Sequence, residues 1–179
     1  MQQPYQAAVR TSARGFSLIE ILVVVVIVGL MAAIMTVAVG ALGGDSEIDD
    51  EAARVADVVA VSLETAELEG RDYGLRLEPT GYEVMVFDGR RGWSSAAGDR
   101  WFERHEFPAG ISVALEAEGR RVLLKTSDAP ETRLPQVITF GSGDVTPYRI
   151  TLSRQGSGAS VSLVGSVDGA IELERGDAR

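Results

Sequence analysis

The sequence predicts an α+β fold: a long N-terminal helix, with a membrane-spanning half and an amphipathic half, packed on antiparallel β-sheets. Three observations predict it. An uncharged apolar run extends from Ile21 to Gly44. A stripe of apolar residues three and four apart then follows, from Ile48 to Ala66. Past Gly70 the apolar period falls to two, and turn residues separate short segments.

The 179 residues leave enough chain outside the apolar run for one domain with a real core. The formal charge is −9, from 17 basic and 26 acidic side chains. Only Arg10 and Arg14 are charged before Phe16, so the body is the acidic part. That argues against nucleic acid, whose affinity rests on Lys and Arg neutralising phosphate. It also argues against a polybasic membrane-surface role. The absence of cysteine excludes a disulfide framework, thiolate zinc sites, a Cys nucleophile and a lipoprotein anchor.

The apolar run is long enough to cross a bilayer, which takes about 20 helical residues. It contains no proline to kink it. Arg10 and Arg14 precede it, and Asp45, Glu47, Asp49, Asp50 and Glu51 follow. The positive-inside rule keeps the N-terminus cytoplasmic and places the body outside. A cleaved secretory signal has a shorter apolar region, and a carboxylate at its head is unusual. A plain signal anchor explains length and orientation but leaves Glu20 and the pair Gly15-Phe16 unexplained. On insertion scales a carboxylate costs about 2.5–3.5 kcal/mol at mid-bilayer and less near an interface. The spacing alone leaves two readings of Glu20 open, pairing within its own chain or snorkelling on one side and pairing with a neighbouring subunit on the other.

Gly15-Phe16-Ser17-Leu18-Ile19-Glu20, behind a basic stretch and ahead of the apolar run, resembles the type IV pilin-like signal. The resemblance implies that a prepilin peptidase cuts between Gly15 and Phe16, and that the new N-terminal Phe16 is N-methylated. It also implies that Glu20 is the assembly residue, paired with the freed amine of a neighbouring subunit. The implied organisation is a basic leader over 1–15, removed; a transmembrane helix over 16–42; an amphipathic helix over 43–70; and a periplasmic antiparallel β domain over 71–179.

Gly40, Gly43 and Gly44 punctuate the exit from the apolar run and are natural hinges. Asp45 or Ser46 can cap a following helix, whose first turn the acids Glu47 to Glu51 suit. Ile48, Ala52, Val55, Val59, Leu63 and Ala66 form its apolar stripe, and Gly70 stops it. The acids lack an EF-hand pattern, which favours a solvated helix start over a calcium site. Eight or nine strands are expected in DYGLRLEP, YEVMVFD, WFERHEF, ISVALEAE, RVLLKTS, QVITF, YRITLSR, ASVSLVGS and AIELER. Pro79-Thr80-Gly81 and Glu118-Gly119-Arg120 read as turns, and DGRRGWSSAAGDR as a loop.

Two stretches narrow the resemblance. Gly70 to Trp93 and Arg133 to Leu152 look like parts of the H-type minor pseudopilins of bacterial type II secretion systems, the GspH family. That resemblance implies a non-catalytic subunit at or near the tip of a periplasmic pseudopilus, helping to export folded proteins across the outer membrane. Its implied partners are minor pseudopilins I, J and K, the major pseudopilin G, the prepilin peptidase and the inner membrane.

The residues themselves offer little catalytic chemistry. His105 is the sole histidine, and no GxSxG elbow accompanies it. A surface or satisfied strand histidine is the better reading than a catalyst. One His and no Cys exclude ordinary zinc ligand sets, and no metal or cofactor is expected. GSGDVT from Gly141 lacks the Gly-Lys-Ser/Thr of a phosphate loop. Glu103, Glu106, Glu116 and Glu118 could supply paired carboxylates, but sequence does not fix their separation. Trp93 and Trp101 are candidates for an interface or for core anchoring. The alternatives are a minor pilin of a type IV pilus or DNA-uptake filament, and a lone membrane-anchored periplasmic binding domain. An anchored periplasmic hydrolase is more remote.

Overall fold

The computed structural model describes residues 18–176 except 99, 127–132 and 157, and only the backbone over 32–45. Helix α1 spans Leu18–Glu69. Gly40, Gly43 and Gly44 lie inside it, so Ser46 does not open a second helix. A break there would strand the polar groups of two helix ends and require a second nucleation. Each glycine instead costs about 1 kcal/mol relative to alanine.

The chain divides between Gly40 and Ala41 into two units. In the first, the apolar side chains from Leu18 to Met31 are exposed. Taken over the described residues, no helix is long and apolar enough to cross a membrane. The expected span 16–42 includes residues outside that description.

In the second unit the predicted stripe is realised. Ile48, Ala52, Val55, Val59 and Ala66 are buried, and Leu63 packs against them. Gly70 ends the helix with φ +62°, and Arg71 N–H donates to Ala66 O at 3.2 Å. That six-to-one bond is the closing bond of a Schellman motif.

Among the described residues ten strands follow: β1 Tyr73–Glu78, β2 Gly81–Asp88, β3 Gly92–Ser95, β4 His105–Glu106, β5 Ile111–Ala117, β6 Arg120–Val122, β7 Val137–Thr139, β8 Tyr148–Arg154, β9 Ser160–Gly165 and β10 Ile171–Gly176. They form two five-stranded sheets with antiparallel pairing throughout. The first has the order β3-β2-β1-β7, with β4 also on β2; the second runs β10-β9-β8-β5-β6. Opposed pairs Leu75↔Val84 and Leu77↔Tyr82 on the first sheet, and Leu115↔Ile150 and Leu152↔Val161 on the second, are buried. With the helix stripe they make one core.

Three segments depart from the sequence reading. DGRRGWSSAAGDR contains β3, because Gly92 at φ +76° turns the chain so that Trp93 packs on Phe87, 5.3 Å between ring centroids. WFERHEF yields only the two-residue β4. Phe102 and Phe107 are an odd number of residues apart, yet both belong to the same core, which a regular strand could not achieve. Among its described residues RVLLKTS pairs only at Arg121 and Val122. The turn at Glu118 and Gly119 forms as expected, with φ values of 51° and 73°.

The far face of the first sheet is also covered. Residues 133–136 lie along it, with Pro135 so close to Gly74 that a Cβ there would fall 2.5 Å from the proline Cβ. The Gln136 amide acts as a substitute strand: Leu77 N–H donates to its Oε1 at 2.8 Å, and its Nε2 donates to Leu77 O at 3.4 Å.

Candidate functional site

Glu20 lies in the first turn of α1 and is exposed among exposed apolar neighbours. A carboxylate there is favoured by the positive end of the helix dipole. Gly15 and Phe16 lie outside the described residues.

The acidic run from Glu47 to Glu51 does not cap a helix. It fastens α1 to both sheets. Glu47 pairs with Arg154 on β8, and Asp49 with Arg175 on β10. Glu51 is buried, with His105 Nε2 on β4 at 2.6 Å from its Oε2. This is the geometry of an N–H donating to a carboxylate. His105 also packs against Tyr82 with the rings tilted by 41°, 5.2 Å between centroids. Burial pushes the Tyr82 hydroxyl up to about 12, against the pull of Arg54. His105 is therefore a helix-to-sheet fastener, the satisfied strand histidine that the sequence suggested.

A second cluster was not foreseen. Arg76, Glu78 and Glu83 are 2%, 3% and 4% exposed on the covered face of the first sheet. Arg76 Nη1 donates to Glu78 Oε1 at 2.6 Å and to Glu83 Oε1 at 2.7 Å. Arg104 pairs with Glu78 at 2.7 Å, and Arg133 with Glu83 at 2.6 Å. A signal existed: Arg76 and Glu83 stand opposite one another in the hairpin that Pro79-Thr80-Gly81 predicts. Alternation alone puts them in solvent; Arg104 closes over Glu78 and Arg133 over Glu83, with Pro135 packed on Gly74 of the same strand.

Burial pushes the Glu83 carboxyl up, but hydrogen bonds from Arg76 and Arg133 and their charges outweigh it. They hold its pKa below the ordinary glutamate value of 4.5. A carboxylate depressed on folding stabilises above its unfolded pKa and loses that contribution as pH falls through the folded value. The stability gap between the wild type and Glu83→Gln should therefore be widest at neutral pH and shrink below 4.5. Urea titrations across pH 7 to 3 would show it; a gap independent of pH would remove Glu83 from the acid response.

An open cleft of about 590 Å³ lies between Asp50–Val58 of α1 and the 100–105 segment. Asp57, Arg54, Arg100, Trp101 and Glu103 line it, and Trp101 is 56% exposed. Among the described residues no three of His, Asp and Glu converge as a metal set. The four glutamates weighed as acid pairs are split: Glu103 and Glu106 lie at the first sheet, Glu116 and Glu118 at the second. The GSGDVT loop packs on the end of α1. Gly141 N–H donates to Asp72 Oδ1 at 3.0 Å, and a Cβ on Gly141 would lie 2.9 Å from the Gly70 carbonyl carbon.

Residues 10–36 match the prokaryotic N-terminal methylation motif. Over 159 residues the chain is 33% identical to type II secretion system protein H of Pseudomonas aeruginosa, covering 85% of this chain and 90% of that protein. The chain belongs to the type II secretion system protein H family. The H protein of Aeromonas hydrophila is 31% identical over 148 residues, 79% of this chain and 81% of the relative. The minor pseudopilin EpsH of Vibrio cholerae shares the H-protein fold, with a TM-score of 0.61 at 18% identity, over 73% of this chain and 97% of EpsH. The solution structure of E. coli GspH gives 0.52 at 20% identity, over 75% and 91%. The predicted α+β architecture is thus the pseudopilin fold. The H-family chain is a minor pseudopilin of type II secretion, a structural subunit with pseudopilus partners.

Proposed function

We propose that this chain is a non-catalytic subunit at or near the tip of the periplasmic pseudopilus, where it helps export folded proteins across the outer membrane. Prepilin peptidase cuts between Gly15 and Phe16, removing the leader 1–15, and Phe16 is N-methylated. Residues 16–42 cross the inner membrane with the N-terminus cytoplasmic. Residues 43–70 continue as the amphipathic helix, and 71–179 form the periplasmic β domain. Glu20 pairs with the Phe16 amine of a neighbouring subunit and sets helix register. Minor pseudopilins I, J and K and the major pseudopilin G are the partners. The observation that carries the reading is the coincidence of Gly15-Phe16 and Glu20 with the methylation-motif match over 10–36, on a chain of the H family.

Mass spectrometry of the mature N-terminus, in cells with and without prepilin peptidase, tests it. A chain beginning at N-methyl-Phe16 is expected, and Gly15→Ala should slow its appearance. An uncleaved chain, or one cut late in the apolar run as a secretory signal would be, defeats the proposal. Glu20→Ala should leave cleavage intact and reduce incorporation into the pseudopilus; normal incorporation and secretion would remove its register role.

A further inference from the structure

We propose that the tip of the β2–β3 hairpin docks onto a carboxylate-rich surface of a neighbouring pseudopilus subunit. The inference rests on the assembly role above and adds the surface used and the chemistry of what it meets. The tip carries Arg90 and Arg91, both exposed. It is well built: Arg91 N–H donates to Asp88 O at 3.0 Å, and Arg90 N–H to Asp88 Oδ1 at 3.0 Å. Behind it, Phe87 and Trp93 face each other in register. Phe87 is 38% exposed. The Trp93 ring is anchored against Gly74, where a Cβ would lie 3.2 Å from it. Leu134, beside the Pro135 that packs on the same glycine, is exposed as well.

The acids at this pole are already engaged. Glu69 accepts the Tyr73 hydroxyl at 2.7 Å and pairs with Arg71 at 3.6 Å. Asp72 accepts Gly141 N–H, and Asp88 accepts Arg90 N–H. Among the described residues no carboxylate pairs with the Arg90 or Arg91 guanidinium, whereas Arg71, Arg76, Arg104 and Arg133 are all paired. Two arginines at the rim of an aromatic patch thus carry guanidinium groups that no carboxylate among the described residues pairs with, on a chain of net charge −9. Aromatic residues and arginine are the side chains that dominate protein–protein hot spots, and rim charges steer and orient the partner. Nucleic acid is disfavoured, because two phosphate contacts release few counterions against an acidic body. The other double-arginine turn, Arg120-Arg121, lacks this character, because among the described residues no aromatic pair backs it as Phe87 and Trp93 back the first.

Site-specific photocrosslinking in secreting cells tests the proposal on the full-length chain. Benzoylphenylalanine replaces Arg91, and in parallel chains Val26 or Arg121. The Arg91 position is expected to capture another pseudopilin at an Asp/Glu-rich segment mapped by mass spectrometry. Arg90→Glu should lower that yield about tenfold or more, with an unchanged urea midpoint, and Arg90→Lys should retain it. The proposal is overturned if the adduct maps to nucleic acid, to lipid or to a segment without acids. It is also overturned if Arg121 captures the same segment equally, or if charge reversal changes nothing. Capture of sibling subunits at Val26 without capture at Arg91 sinks the docking surface alone; no capture at Val26 sinks the assembly reading with it.

Discussion

Arg76→Ala should cost on the order of 3–5 kcal/mol, the range for breaking a buried ion pair by removing one partner. Arg76 is the only one of the three arginines in the array that touches both Glu78 and Glu83. Without it two buried carboxylates share a sheet face with one peripheral cation each. Arg104 and Arg133 are 47% and 32% exposed, so each acts through water-screened geometry. Since a domain is stable by about 5–15 kcal/mol, this one change consumes a large part of the margin. Urea unfolding at pH 7, followed by the fluorescence of Trp93 and Trp101, measures it. Replacing Arg76, Glu78 and Glu83 together by Met, Leu and Leu should recover most of the loss, because a buried array exchanged for apolar side chains is often neutral. A single-mutant cost under about 1 kcal/mol would mean that the array is screened as surface pairs are.

Gly165→Ala should destabilise by about 1–3 kcal/mol through overpacking. Gly165 stands opposite Tyr148 across β8 and β9, and an added Cβ would lie 2.1 Å from Tyr148 Cε1. The ring cannot move aside cheaply, since Tyr148 is buried within the hydrophobic core. A double-mutant cycle isolates the clash: in a Tyr148→Ala background the added methyl should cost much less. Tyr148→Phe keeps the ring and should give no relief. It should itself be nearly neutral, because among the described residues the hydroxyl has no hydrogen-bond partner to lose. Equal costs of Gly165→Ala in both backgrounds would show that the glycine serves backbone conformation and not the ring.

The readable parts of the sequence were those governed by local chemistry. The stripe from Ile48 to Ala66 and the stop at Gly70 follow from helical period and left-handed glycine, and both stand as expected. The hairpin around Pro79-Thr80-Gly81 and the turn at Glu118-Gly119 do too. The misreadings share a cause. Glu47, Asp49 and Glu51 looked like a solvated helix start because their partners, Arg154, Arg175 and His105, are far off in sequence. The strand in DGRRGWSSAAGDR was hidden by its turn residues and is held by the Phe87–Trp93 contact.

By itself the sequence determined the class of the protein: an uncharged run behind Gly15-Phe16 with Glu20 at its head, then a helix stripe and antiparallel strands. These are periodicities and spacings, written along the chain and independent of what lies across it. Only the tertiary structure decided which charges are buried, which acids fasten the helix to the sheets, and which arginines at the hairpin tip pair with no carboxylate among the described residues. Those outcomes depend on residues such as Arg133 and Pro135 closing over a face whose alternation alone assigns it to water. Burial is a property of the covering segment as much as of the strand it covers.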